Sequence, residues 1–269
     1  MSQGLKITGE TLKKVQQTEL DILKTVARFC DRHKITYFLS SGTLLGAVRH
    51  GGFIPWDDDV DISMPRADYE KFLSLADEFP AGFQVVSTRL NPNYPIAITK
   101  VRKDGTVMKE PSMAHLAINH GVWIDIFPID KVADASRLPK RARLFNILNT
   151  VINYKLKCAS PQKTATKLFC AVLSVLSVKT LDRMRTWVMC CDENKECGMT
   201  TSFASNLGSH RLLLDNGVYF PLRKIQFEDE VFSAPANAEK WLTNAYGDYM
   251  TLPPEEKQVN RHVVTELIV

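Results

Sequence analysis

Four aspartates fall within five positions, at 57, 58, 59 and 61, with only Val60 between them. Val60, Ile62 and Met64 then alternate with Asp59, Asp61 and Ser63, the period of a half-buried strand. On such a strand Asp59 and Asp61 point to one face, about 7 Å apart along the chain. Carboxylates fixed so close repel each other, and a divalent cation relieves them. Hard oxygen ligands at this spacing suit Mg²⁺, one ion or two, with Mn²⁺ as the substitute, and Mg²⁺ takes phosphate oxygens as its remaining ligands. A solvated acidic strand end or a Ca²⁺ loop is the competing reading. The EF-hand pattern is absent, since Val60 and Ile62 are apolar and no glycine stands at the turn position. Asp57 is expected to cap the loop or face away, and Asp58 to orient a ligand or act as a base.

The flanking chain supplies what such a site would need. Residues 35–40 form an apolar, aromatic strand that turns at Ser41, Gly42 and Thr43 into a helix over 44–50. Glycine there permits close approach of the backbone to a ligand, and the helix N-terminus offers free N–H groups to a phosphate. Arg49, in the loop returning to the acids, is expected either to touch phosphate or to lie on the surface. Arg66 follows the acidic strand and opens a helix over 66–79. Lys100 and Arg102 share one face of a strand over 96–102, where they would neutralise a diphosphate or pair with acids. Residues 121–130 form a strongly apolar strand with Asp125 as its lone interior acid. A carboxylate in that setting is costly unless it is paired, hydrogen-bonded or metal-bound. It is therefore the candidate third ligand beside Asp59 and Asp61. Asp130, after a proline, reads as a cap.

The chain has 269 residues, 45% hydrophobic and 24% charged, with a net charge of +4. This is ordinary globular composition, and the mild charge does not argue for nucleic acid. The N-terminus lacks the apolar core of a secretion signal, so a cytoplasmic protein with reduced thiols is expected. The six cysteines fit no disulfide framework or common zinc module. Cys190, Cys191, Cys197 and His210 are candidates to gather around zinc, with buried thiols beside a loop as the favoured reading because the spacing fits no common module. No run reaches the ~18–20 apolar residues of a membrane span. The longest, 168–178, suggests a buried helix or else a shallow membrane contact. Residues 8–33 read as an amphipathic helix broken by Glu19. From 135 the mixed pattern gives way to basic helices. The expected organisation is α+β: a mixed core over 1–134, a helical subdomain over 135–215, and a C-terminal segment over 216–269 returning to the core.

The run Gly42-Thr43-Leu44-Leu45-Gly46-Ala47-Val48-Arg49, with Gly52-Phe53-Ile54-Pro55-Trp56-Asp57-Asp58-Asp59-Val60-Asp61-Ile62, strongly resembles the LicD family. Those are phosphocholine transferases of bacterial surface glycans, related to the fukutin-type ribitol-phosphate transferases. The likeness continues through Pro65-Arg66, Asp68-Tyr69, Trp123-Ile124-Asp125-Ile126-Phe127-Pro128 and Tyr246-Gly247-Asp248-Tyr249. The family looks like a branch of the nucleotidyltransferase superfamily: a Gly-Thr turn, an Asp-x-Asp strand and a third acid on a later strand. The resemblance implies a nucleotidyltransferase-like mixed sheet flanked by helices. It also implies transfer of a phospho-alcohol, typically phosphocholine from CDP-choline, onto a sugar hydroxyl of a glycan such as teichoic acid or lipopolysaccharide, with release of CMP. Asp59, Asp61 and Asp125 would hold the metal, Asp58 would assist, and Gly42 and Thr43 would cradle a phosphate. Lys100 or Arg102 would balance charge, and Arg66 would fix the donor or brace the strand. The implied partners are a CDP-alcohol and a glycan or lipid-linked glycan, with peripheral contact at the cytoplasmic membrane face as a further expectation. The competing readings are transfer of NMP from an NTP to a small acceptor, and an inactive glycan- or nucleotide-binding relic.

Overall fold

The structure is a computed structural model that describes residues 5–260 and 262–269. It opens with helix α1 (Gly9–His33), whose Leu12, Val15, Leu23, Val26 and Phe29 are buried at helical spacing. The helix stops where Lys34 turns left-handed at φ 53° and returns its N–H to the carbonyls of Cys30 and Asp31. Strand β1 (Phe38–Leu39) feeds α2 (Ser41–His50), and β2 (Asp61–Pro65) feeds α3 (Arg66–Ser74). Strands β3 (Phe83–Val86), β4 (Thr99–Lys103), β5 (Val107–Lys109) and the ten-residue β6 (Trp123–Val132) complete the first half.

Three helices follow: α4 (Leu138–Lys155), α5 (Thr164–Leu173) and α6 (Val178–Cys190). The chain then returns through β7 (Met199–Thr201), β8 (Leu214–Asp215), α7 (Asn216–Tyr219), the hairpin β9 (Arg223–Phe227) and β10 (Glu230–Ala234), α8 (Ala238–Tyr246) and β11 (Glu266–Ile268).

The main sheet runs β1-β2-β6-β4-β3, with β7 on β6 and β8 on β7. Only β2 and β6 are parallel within it; its other pairs are antiparallel. Such a mixed sheet with helices matches the expected α+β nucleotidyltransferase-like class. Its core gathers Ile22, Leu23, Phe38, Leu39, Ile62, Met64, Phe72, Ile124 and Ile126, all fully buried. A second apolar cluster lies among α4, α5 and α6, around Leu148, Val151, Ile152, Leu181 and Val188. The expected helical span of 135–215 is helical only through Cys190. Beyond it β7 and β8 rejoin the sheet: β7 pairs with Asp130–Val132 of β6, past the stretch of β6 that β4 covers, and β8 pairs with β7. Two arginines tie the helices to one another, and the fully buried Arg185 also ties them to the first half of the chain. Arg185 donates to the Pro95 carbonyl, Asn149 and Thr88, and Arg141 bridges Asp192 and the carbonyls of Val188 and Met189. The C-terminus returns over the first half, with β11 pairing β5 and Leu5 bridging Val264.

Candidate active site

The register of the central strands sets the site. Asp61 on β2 lies directly opposite Asp125 on β6, and Asp125 lies opposite Lys100 on β4. Residues in register on neighbouring strands share a face about 5 Å apart. Lys100, Asp125 and Asp61 therefore stand in one row across three strands. Lys100 Nζ is 3.0 Å from Asp125 Oδ1 and 3.9 Å above the Trp123 ring. Arg102, opposite Trp123 in the same register, lies 4.7 Å from that ring. It is fully buried, donates to the Gly121 carbonyl at 2.8 Å and stands 3.6 Å from Glu110. Both basic residues are thus engaged by acids, carbonyls and an aromatic face, and Arg102 has no exposed surface to offer a ligand.

The turn into α2 is stapled to the first residue of β2. The Ser40 N–H donates to the Asp61 carbonyl at 3.0 Å, and the Asp61 N–H donates to Thr43 Oγ1 at 2.7 Å. Ser41 adopts φ 48° at the start of the helix, and its hydroxyl hydrogen-bonds the Asp61 carboxyl. Gly42 is required here: a Cβ would sit 2.7 Å from Asp57 Oδ2 and 3.9 Å from Asp59 Oδ1. The missing side chain lets two carboxyls rest against the first turn of α2, where the free N–H groups and helix dipole favour negative charge. Asp57 therefore joins the cluster, contrary to its expected placement away from it. Its backbone carbonyl also accepts from Gln16 on α1 at 2.9 Å.

Two further groups belong to the site that the sequence did not single out. Asp58 is buried and pairs with His262 Nδ1 at 3.2 Å, while the imidazole meets the Trp123 ring edge-on at 5.6 Å. Burial disfavours the imidazolium, but the hydrogen bond to Asp58 and the charges of Asp58 and Asp59 outweigh it and push His262 up to about 9. Glu19 on α1 is 1% exposed, and its Oε2 has no hydrogen-bond partner among the described residues. Burial, then the fields of Asp59, Asp58, Asp57 and Asp125, hold its carboxyl well above the usual range. Burial likewise raises Asp61, helped by Asp59, Asp125 and Asp57 and opposed by Ser41. Asp59 is raised by burial and by Asp125 and Asp58, with His262 pulling the other way.

The remaining candidates separate. Arg49 stays near the acids: its charge is felt with Asp57, and its Nη1 donates to the Tyr249 carbonyl at 2.7 Å. Arg66 does not. It lies about 16 Å along β2 from Asp61, buried, with Nε 2.7 Å from Asp130 and Nη1 3.2 Å from Glu70. That is the bracing alternative, and Asp130 is the buried partner of Arg66 rather than a cap. Among the described residues no three Asp, Glu, His or Cys side chains converge on one point at metal-ligand distance. Lys100 draws Asp125 to itself. The donor type and charge still suit a hard divalent cation: even with Glu19 neutral, five carboxyls outnumber Lys100, His262 and Arg49. Cys190 and Cys197 instead lie against the carbonyls of Thr186 and Asp192.

Next to the cluster, a cleft of about 590 Å³ runs between the N- and C-terminal segments, lined by Leu12, Trp56, Val259, Asn260, His262 and Val263 among others. This volume suits a small-molecule ligand, and His262 joins the cleft to the acids.

Comparison with known proteins places this geometry. Residues 34–137, which span the turn, the acidic strand and Asp125, match the sequence model of the LicD/FKTN/FKRP nucleotidyltransferase domain. Over 94% of its length the chain is 27% identical to the lipopolysaccharide cholinephosphotransferase LicD of Haemophilus influenzae, covering 96% of that protein. A 34-residue stretch is 53% identical to the ribitol 5-phosphate transferase FKRP of human and mouse, 13% of this chain and 7% of theirs. The α2 turn, the Asp59-Val60-Asp61 segment and Asp125 all fall inside the matched stretch, so residues 34–137 carry a nucleotidyltransferase domain of the LicD/FKTN/FKRP type.

Proposed function

We propose that this protein transfers phosphocholine from CDP-choline to a sugar hydroxyl of a cell-surface glycan and releases CMP. The observation that carries the reading is the Asp61–Asp125 register pair, set among surplus carboxyls against the first turn of α2. Likeness along nearly the whole chain to an enzyme named for phosphocholine transfer to lipopolysaccharide supports the choice of alcohol and acceptor.

The residues divide the work by position. Asp59, Asp61 and Asp125 would hold Mg²⁺, which when bound supplies the positive charge that a diphosphate and its leaving CMP require. Gly42 and the N–H groups at the start of α2 receive a phosphate oxygen. Thr43 fixes that turn on β2 through the Asp61 N–H. Lys100 moves between Asp125 and the donor phosphates, its stem held over Trp123. Asp58, kept in place by His262, is the base that accepts the proton of the sugar hydroxyl. The cleft bordered by Trp56 takes the cytidine or the alcohol.

The test is incubation with CDP-choline, CDP-ribitol, CDP-glycerol and CDP-ethanolamine, with and without Mg²⁺, following CMP. Mg²⁺-dependent CMP release that is fastest with CDP-choline supports the proposal. Release of pyrophosphate from an NTP would instead assign nucleotidyl transfer, for which the same acids serve. No turnover on any donor would leave a binding protein.

A further inference from the structure

The helices α4 to α6 carry a surface that the active site does not use. Helix α5 is strongly apolar, yet of its ten residues only Cys170 is buried. Leu168, Phe169 and Val172 face out, Val175 beyond the helix is 84% exposed, and Met184 and Trp187 on α6 are exposed as well, Trp187 at 65%. Leu168, Val172 and Val175 recur at helical spacing, so they form a stripe rather than scattered points. A soluble surface tolerates single apolar residues, but a contiguous patch marks a contact.

Charge says what kind of contact. Residues 135–181 contain nine Lys and Arg and no Asp or Glu, whereas the whole chain has 34 basic against 30 acidic residues. Lys163, Lys167, Lys179 and Arg183 are all exposed and flank the stripe in sequence. A second copy seated on this surface would set like charges against like. An anionic bilayer would not: basic side chains meet lipid phosphates, apolar side chains enter the acyl boundary, and an exposed Trp suits the interface between them. A groove of about 440 Å³ between α4 and α5, bordered by Arg143, Ile147 and Phe169, continues the apolar surface. Among the described residues no single helix is long and apolar enough to cross a membrane, and α5 and α6 are bent by 105° to each other. Together α5 and α6 have the length and apolarity of a broken span, but their bend and the exposed Lys179 and Arg183 on α6 suit two short helices lying in an interface.

We propose that the α5–α6 face docks the protein peripherally on a membrane rich in anionic phospholipid. The inference is independent of which alcohol is transferred. The test uses the full chain with sedimented vesicles of phosphatidylcholine alone or with about 30% phosphatidylglycerol. Binding at least tenfold stronger to the anionic vesicles is expected, weakening with salt. The Trp emission should shift to the blue in wild type but not in Trp187→Phe. Each basic residue near an anionic surface contributes about fivefold to binding. The Lys163→Glu, Lys167→Glu, Lys179→Glu triple variant should therefore lose a hundredfold or more. Leu168→Gln, Val172→Gln, Val175→Gln should lose vesicle binding with its circular dichroism and CMP release unchanged. Equal binding to neutral and anionic vesicles, or no binding, overturns the proposal. So does a dimer in sedimentation velocity that the apolar triple variant abolishes while vesicle binding is absent.

Discussion

Strands β2 and β6 run side by side and carry buried aspartates at both ends, and the two ends are opposites. At the C-terminal end Asp130 has no exposed surface and meets Arg66 at 2.7 Å; Arg66 also binds Glu70, and Glu70 binds Arg89. Each acid there has a base. At the N-terminal end Asp61 and Asp125 are 8% and 9% exposed, and they share their fields with Asp57, Asp58, Asp59 and Glu19. Acids outnumber bases, and burial together with their mutual fields raises Glu19 and Asp61 well above the ordinary carboxylate range. Burial of a carboxylate is therefore not the mark of function in this protein; both ends have it. The mark is uncompensated charge in a place that a ligand can still reach.

That contrast predicts opposite responses to neutral substitutions. Asp61→Asn should lower CMP release by about a thousandfold, the scale of losing one charge-stabilising group in a transition state. The thermal midpoint should hold or rise, because a repelling carboxylate is gone. Asp61→Asn with more than a tenth of wild-type turnover, or with a clearly lowered midpoint, would make the two ends alike.

Arg66→Met should do the reverse. It leaves Asp130 buried without its partner, at a cost of about 3–5 kcal/mol, read from denaturant unfolding. CMP release per folded molecule should stay within about threefold. A variant that is stable but loses turnover would return Arg66 to the donor site, the alternative its sequence position left open.

The difference between the ends was only half legible beforehand. The alternation around Asp59 and Asp61 and the lone acid at 125 announced a strand pair with clustered carboxyls, because period and burial are local properties. The partner of each acid is not local. Lys100 meets Asp125, and Arg66 meets Asp130, through strand register that no short window contains. Asp57 was set apart because a strand period cannot say that a loop folds back on Gly42. Glu19 looked like a polar break in an amphipathic helix; what the break faces is decided by how α1 lies on the sheet. His262 sits some two hundred residues from Asp58, in a tail with no pattern of its own. The boundary of the helical region was overrun for the same reason, since β7 and β8 are strands only by pairing with β6 and each other.

The His262–Asp58 pair sharpens the comparison, since it is the acidic end's own compensation. Its imidazole titrates near 9, above the ordinary 6.5. The stabilisation is fully present below pH 6.5 and is lost as pH rises through about 9. His262→Gln should therefore be less stable than wild type by up to about 3 kcal/mol at pH 6, with the gap closed by pH 10. Unfolding curves at several pH values check this, and a gap that does not narrow with pH would mean that His262 acts by packing on Trp123 instead.

The smallest effect isolates the surplus itself. Burial and the fields of the neighbouring aspartates raise the Glu19 carboxyl in the folded protein well above its ordinary value near 4.5. Between that value and its folded value the native state binds the extra proton, so wild-type stability falls as pH rises across the window. Glu19→Gln keeps the shape and removes the titration. Free of divalent metal, the two proteins should be equally stable at pH 4, and the variant should lead by roughly 1 kcal/mol or more at pH 8. Adding Mg²⁺ should narrow the lead, because a cation among the aspartates offsets the field that burdens Glu19. A variant less stable at every pH would show that the Glu19 carboxyl holds a hydrogen bond worth more than the repulsion it suffers. The acidic end would then be compensated by structure, like the end that Arg66 closes.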